Sequence, residues 1–220
     1  MFDTAAARRM MVDGQVRTAD VTNPDLISAM LEVPRERFVP PRWQPIAYLD
    51  RDVPVQETGG GRRLLKPMVL AKLIQAAAVG EGERVLDVGC ATGYSCAIFA
   101  KLAHAVVGLE EDAGLAETAT RTLTAVHADS VKVATGRLAE GWPRQAPYDV
   151  ILLNGSTEVP PQGLLDQLAH GGRLVAVVGR DPIGRGTVYQ RSGTHVSAYP
   201  EFDAVAPLLP GFAKPAAFVF

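Results

Sequence analysis

The stretch VLDVGCATGYSCA, running from Val85 to Ala97, decides the fold. Aliphatic and β-branched residues around one acid read as a buried strand, Gly89 ends it, and small residues lead through Gly93 into a helix-like run. A strand, a glycine turn and a helix in that order place a ligand beyond the carboxyl end of a parallel sheet, against bare backbone. Two ligands suit this turn poorly. A nucleotide P-loop closes its glycine run with Lys and Ser or Thr, whereas Tyr94 and Ser95 follow Gly93. A dinucleotide fingerprint would align Gly89, Ala91 and Tyr94 with its three small positions, and Tyr94 is too large for the third.

What is left is Asp87 two residues before Gly89, then Ala91 and Gly93, with Glu110 closing the next predicted strand. An acid at the place of Glu110 lies near the ribose of a bound nucleoside, where its two oxygens can accept from both hydroxyls. Asp87, beside the turn, is placed to help hold an ammonium group. A nucleoside with an amino-acid tail and no pyrophosphate fits, which describes S-adenosylmethionine. A tight strand–helix turn that binds nothing is the plainer alternative.

The same pattern repeats outward from this stretch. AVVGLEE (105–111), VKVAT (131–135), YDVILLNG (148–155) and GRLVAVVG (172–179) read as further strands. YSCAIFAKLA (94–103), AGLAETATRTLTAV (113–126) and PQGLLDQLA (161–169) read as helices. Short aliphatic runs alternating with helices predict an α/β, Rossmann-like fold: a mostly parallel sheet with helices on both faces. TVYQRS, HVSAYP and AAFVF near the end lack intervening helices and predict an antiparallel edge. Ahead of the sheet, Asn23-Pro24 starts a helix whose Leu26, Ile27, Met30 and Leu31 share a face. Repeated prolines then predict an irregular segment, and a helix from Pro67 carries Val69, Leu70, Leu73 and Ile74 as its stripe. Residues 1–66 are thus expected to cap a ligand-binding domain of residues 67–220, the two forming one compact unit.

Composition narrows the function class. At 220 residues and 47% hydrophobic, the chain can bury a substantial core. A formal net charge of -2 gives no reason to expect a nucleic-acid or membrane partner. No apolar run approaches the ~20 residues of a membrane span, and no secretory signal opens the chain. Cys90 and Cys96 read as buried thiols in a reducing cytoplasm, and the scattered His104, His127, His170 and His195 predict no metal site.

With those residues in hand, the chain resembles the protein-L-isoaspartate O-methyltransferase family along nearly its whole length. MVDGQVR (11–17), VPRERFVP (33–40), AYLDRDVPV (47–55), VLDVGCATGY (85–94), GWPRQAPYDVILLN (141–154) and GGRLVAVVG (171–179) carry the resemblance. It implies a class I methyltransferase fold and methyl transfer from S-adenosylmethionine to the α-carboxylate of isoaspartyl residues in damaged proteins. It places Asp87, Gly89, Ala91 and Gly93 along the methionine side of the cofactor, and Glu110 on its ribose. No residue is singled out as catalytic, because an ionised carboxylate and a thioether leaving group need neither general acid nor general base.

Four departures from the family bear on the site. Where it carries Thr-Ile-Ser-Gln-Pro, this chain reads Arg63, Leu64, Leu65, Lys66, Pro67, so Leu65 replaces a hydroxyl. Lys66, or Arg62 and Arg63, would then attract the substrate carboxylate, or these cations simply solvate the Gly-rich loop. The preceding loop is longer, with GGG at its centre. Arg137 stands where an Asp near the adenine is usual, so Arg137 and Leu138 become the expected cofactor contacts there. Asn154 to Thr157 replace small, mostly apolar residues, and Asn154 is a candidate substrate contact or a strand-end turn residue. A methyltransferase with another acceptor, and a non-catalytic binding or regulatory member, stay open beside the repair reading.

Overall fold

The computed structural model describes residues 3–58 and 61–215. The central glycines of the long loop and the AAFVF segment therefore lie outside the described residues. In the cap, α1 (Thr4–Met11) starts where the Asp3 side chain accepts from Ala6 N–H, and it continues into a π-helical turn at Val12–Val16. The helix α2 (Pro24–Glu32) is capped as its sequence predicts: the Asn23 side chain accepts from the N–H groups of Asp25 and Leu26, and Pro24 takes the first turn. Prolines break the next stretch into 3₁₀ turns before a short antiparallel ribbon, β1 (Val53–Pro54) with β2 (Arg63–Leu64). After it, α3 (Pro67–Ala77) buries Val69, Leu70, Leu73 and Ile74.

The chain then runs β3 (Arg84–Val88), α4 (Tyr94–Phe99), β4 (Ala105–Glu110), α5 (Ala113–Ala125), β5 (Lys132–Thr135), β6 (Tyr148–Thr157), α6 (Gln162–Leu165) and β7 (Leu168–Arg180). It closes on the hairpin-linked β8 (Ile183–Ser192) and β9 (His195–Asp203). The sheet order is β5-β4-β3-β6-β7-β8-β9, parallel through β7 and antiparallel at β8 and β9. Strand order reverses at β3, which pairs with both β4 and β6, so the crevice beyond its carboxyl end is the switch point where such sheets bind ligands.

Pleating divides the core. Val85, Val150, Leu152, Val175 and Val177 pack toward α3, α4, α5 and the cap in one contiguous apolar cluster. Leu86, Val88, Ile151, Leu153, Leu174 and Ala176 pack on the other face. The two faces are unequally clothed. The predicted 161–169 helix is helical only at Gln162–Leu165, because Leu168 already pairs with Tyr148 as the first residue of β7. Gln167 fills in for the missing turns: its amide donates to the carbonyls of Glu140 and Gly163 at 2.8 and 2.7 Å and accepts from Trp142 N–H at 2.9 Å. Among the described residues no helix is long and apolar enough to cross a membrane.

Candidate active site

The turn after β3 is built from three left-handed residues. Gly89, Ala91 and Gly93 have φ of 80°, 52° and 94°. For the alanine this conformation costs roughly 1 kcal/mol relative to a right-handed one. That cost is offset because the turn aims Ala91 N–H at Glu110 Oε2, 2.8 Å away. Glu110 Oε1 accepts from the N–H groups of Glu111 and Asp112 at 2.9 and 3.3 Å. One buried carboxylate thus ties the ends of β3 and β4 together across the crevice.

Glu110 has a fourth donor. Arg62 Nη2 lies 2.8 Å from Glu110 Oε2 and 2.7 Å from the Gly89 carbonyl. A Cβ built on Gly89 would fall 2.8 Å from the same nitrogen and 3.2 Å from Leu209. The bare backbone of the turn therefore faces the chain's own guanidinium and one leucine. Donors from Arg62 meet Glu110 as a ligand's hydroxyls would, which makes the guanidinium a candidate stand-in for them. Judged on that donor set, the residues fit an adenosyl group, provided Arg62 withdraws.

Asp87 sits differently from its sequence expectation. Along β3 the pleat puts it on the same side as Val85, toward α4, and it is fully buried. Its carboxylate accepts from Ser95 Oγ, from Cys96 Sγ at 3.1 Å and from Asn154 Nδ2 at 3.3 Å. Asn154 Nδ2 also lies 2.6 Å from Ser95 Oγ. Asn154 is thus inside β6, which extends to Thr157, rather than at a strand-end turn. Asp87 and Asn154 form one polar knot behind the glycine turn, fastening β3 and β6 to the start of α4.

Burial pushes Asp87 up to about 6, with the hydrogen bonds from Ser95, Cys96 and Asn154 pulling against it. The sign follows directly. A carboxyl that titrates higher folded than at its ordinary 3.8 stabilises the fold while protonated, and that contribution is lost as pH rises through about 6. The gap is worth about 3 kcal/mol. Asp87→Asn should therefore gain about that much relative to the unchanged chain between pH 4 and pH 7, measured by urea unfolding at each pH. A difference independent of pH would show that Asp87 titrates normally.

The remaining predicted residues separate. Leu138 is buried, whereas the Arg137 side chain is 79% exposed and pairs with Glu140 at 3.6 Å. The backbone N–H of Lys66 donates to Asp52 Oδ1 at 2.8 Å at the start of α3, and Lys66 makes no ion pair among the described residues. Cys90 and Cys96 are free, buried, and packed against Gly108, whose missing Cβ leaves room for both sulfurs. No group of three or more His, Cys, Asp or Glu stands in metal-binding geometry among the described residues.

Arg35 was missed in the sequence. It is completely buried, with Nε 2.7 Å from the Ala47 carbonyl and Nη2 2.8 Å from the Leu65 carbonyl. Its guanidinium lies 4.8 Å from the centre of the Tyr94 ring, and no carboxylate pairs with it among the described residues. The sequence held no clear signal, because Arg35 stands in the charged run Arg35-Glu36-Arg37 between Pro34 and Phe38, and an arginine there reads first as solvated.

Comparison with known proteins agrees with this architecture. Residues 7–199 match the family model for protein-L-isoaspartate(D-aspartate) O-methyltransferase. A protein-L-isoaspartate O-methyltransferase 1 of Rhodopseudomonas palustris is 40% identical over 177 residues, 80% of this chain and 71% of that one. Its counterpart from Gloeobacter violaceus is 39% identical over 169 residues, 77% of this chain and 81% of the other. A solved protein-L-isoaspartate O-methyltransferase superposes with a TM-score of 0.79 at 21% identity, over 93% of this chain and 66% of that chain. A Plasmodium falciparum protein solved with S-adenosyl-L-homocysteine superposes at 0.76 and 18% identity, over 94% and 99%. At such identities the superpositions establish the class I methyltransferase fold. The match over residues 7–199 and the 40% identity to the Rhodopseudomonas palustris protein mean that this chain belongs to the protein-L-isoaspartate(D-aspartate) O-methyltransferase family.

Proposed function

We propose that this protein transfers a methyl group from S-adenosylmethionine to the α-carboxylate of isoaspartyl residues in peptides and proteins. The observation that carries the reading is Glu110, buried at the switch point and presented across a glycine turn with its outer oxygen held by a displaceable donor. In this reading Glu110 accepts from the ribose hydroxyls. Gly89, Ala91 and Gly93 let the methionine portion approach the backbone, and Leu138 lines the adenine side. Arg137, exposed at the rim, stacks on the ring only if its side chain turns inward. Asp87 works from behind, holding Asn154 and Ser95 and through them the shape of the turn.

When bound, S-adenosylmethionine supplies an electrophilic methyl group on a sulfonium. What the chain adds is placement. The acceptor carboxylate is ionised at neutral pH, so no side chain has to remove a proton. Holding oxygen, methyl carbon and sulfur in line can by itself lower the barrier by roughly 7–11 kcal/mol. Arg63 and Lys66, at the start of the segment leading into α3, supply positive charge toward an anionic acceptor. The acceptor is a protein or peptide carboxylate, and neither nucleic acid nor a membrane is a partner in this reading. With two free buried cysteines, the cytoplasm is the proposed compartment.

The test is methyl transfer from labelled cofactor to an isoaspartyl peptide, with the matching aspartyl peptide as control. Ester formation on the isoaspartyl peptide alone is expected. If S-adenosylhomocysteine binds but no ester forms on either peptide, the repair activity is excluded and another acceptor takes its place.

A further inference from the structure

Beside Arg63 lies a cavity of about 450 Å³. Arg51, Asp52, Arg63, Ser156, Arg180 and Asp181 line it, with residues 205–208 completing its wall. Ser156 is 1% exposed, and its backbone is fully used: its N–H donates to the Pro207 carbonyl at 2.8 Å, and its carbonyl accepts from Leu209 N–H at 3.1 Å. Its hydroxyl has no hydrogen-bond partner among the described residues. A buried hydroxyl left unpaired is costly, and native chains rarely keep one without a reason.

The charges around that hydroxyl are incompletely matched. Arg180 pairs with Glu158 at 2.5 Å, but neither Arg51 nor Arg63 joins an ion pair among the described residues. Asp52 spends Oδ1 on Lys66 N–H and keeps its second oxygen. The cavity therefore offers guanidinium donors and a hydroxyl donor for a carboxylate, and a carboxylate oxygen for an amide N–H. Those are the complementary groups of a short acidic peptide. The cavity wall reaches toward the glycine turn through Leu208, whose chain neighbour Leu209 lies 3.2 Å from a Cβ built on Gly89. Ser156 lies two residues beyond Asn154 on β6, past a register irregularity between Leu152 and Ser156, and pairs there with Val177 of β7. By contrast Leu65, which stands where the resembled family carries a hydroxyl, is buried and offers none.

We propose that this cavity receives the acceptor peptide, with Arg63 and Ser156 Oγ binding its reacting carboxylate and Asp52 taking a backbone N–H. The hydroxyl absent at residue 65 is supplied from β6 instead. This assignment rests on the methyl-transfer reading, so its test separates peptide binding from turnover. Binding of a fluorescently labelled isoaspartyl hexapeptide to the full chain is measured by anisotropy with S-adenosylhomocysteine present, for the unchanged protein, Ser156→Ala and Arg63→Gln. Cofactor-product affinity and thermal midpoint are measured alongside.

Arg63→Gln should weaken peptide binding roughly 10- to 100-fold and Ser156→Ala roughly 3- to 10-fold. KM should rise more than kcat falls, and S-adenosylhomocysteine affinity should stay within about twofold. Ser156→Ala removes an unpaired hydroxyl, so its thermal midpoint should not drop, which sets a binding defect apart from misfolding. Peptide binding unchanged in both variants overturns the site while leaving methyl transfer intact, and so does an unchanged chain that binds no isoaspartyl peptide. If the peptide binds through Arg63 and Ser156 and no ester forms, the site stands and the transfer reading falls.

Discussion

Arg62→Ala is expected to tighten S-adenosylhomocysteine binding roughly 10- to 100-fold, and Glu110→Gln to weaken it roughly tenfold or more. The two residues touch each other, yet their removal should act in opposite directions. Arg62 gives two hydrogen bonds from one nitrogen, to Glu110 at 2.8 Å and to the Gly89 carbonyl at 2.7 Å. Its side chain is 13% exposed and that of Glu110 only 1%, so the pair is far better shielded than a surface ion pair. A nucleoside that places hydroxyls on Glu110 must first expel this guanidinium, which then recovers part of the loss by hydration. The net penalty is about 1.4–2.7 kcal/mol, the work that the alanine variant avoids. Glu110 would not be stranded, since three backbone N–H groups still reach it. Glutamine at 110 keeps one acceptor and loses the charge and the second. Calorimetric titration of both variants decides the matter. Weaker binding by Arg62→Ala would mean that Arg62 contacts the bound ligand, and the stand-in role would be wrong.

The sheet was legible because β3, β6 and β7 are short continuous aliphatic runs, as strands buried on both faces must be; successive residues then alternate between the faces, Val85, Val150 and Val175 on one, Leu86, Ile151 and Leu174 on the other. The glycine turn and Glu110 were legible for a related reason, since small residues at a strand end have few other uses. The same alternation already contained the position of Asp87, two residues from Val85 and so directed under α4. Proximity to the turn in sequence was the weaker guide there, and the pleat was the stronger. Three features were out of reach. The partner of Glu110 is 48 residues away in sequence, so only the closed fold brings Arg62 to it. The unpaired Ser156 hydroxyl depends on the 205–209 segment lying along β6, which no local pattern encodes. The shortness of α6 is a contest between an adequate helix-forming sequence and the sheet pairing of Leu168, and tertiary pairing won.

Arg35→Met should lower stability by about 4 kcal/mol and the thermal midpoint by roughly 8–16 °C. The direction is not obvious beforehand, because burial drives the Arg35 guanidinium below its ordinary range and methionine removes that desolvation cost. Two terms outweigh the gain. Ala47 and Leu65 each lose a charge-assisted donor at 2.7 and 2.8 Å, and both carbonyls stay behind in a dry interior. The Tyr94 ring, 4.8 Å from the guanidinium and packed edge-on against Phe38 with ring centres 5.5 Å apart, loses the cation it faces. The variant should also reach function, because the Leu65 carbonyl belongs to the segment that carries Arg63 and Lys66 to the acceptor side. Arg35→Lys, which offers a point charge able to reach one carbonyl but not span both, should fall between the two. Thermal unfolding followed by circular dichroism, with peptide KM measured well below the midpoint, tests both parts. If Arg35→Met were within about 0.5 kcal/mol of the unchanged chain, desolvation would have cancelled the hydrogen bonds. The pin between cap and acceptor segment would then be a consequence of packing alone.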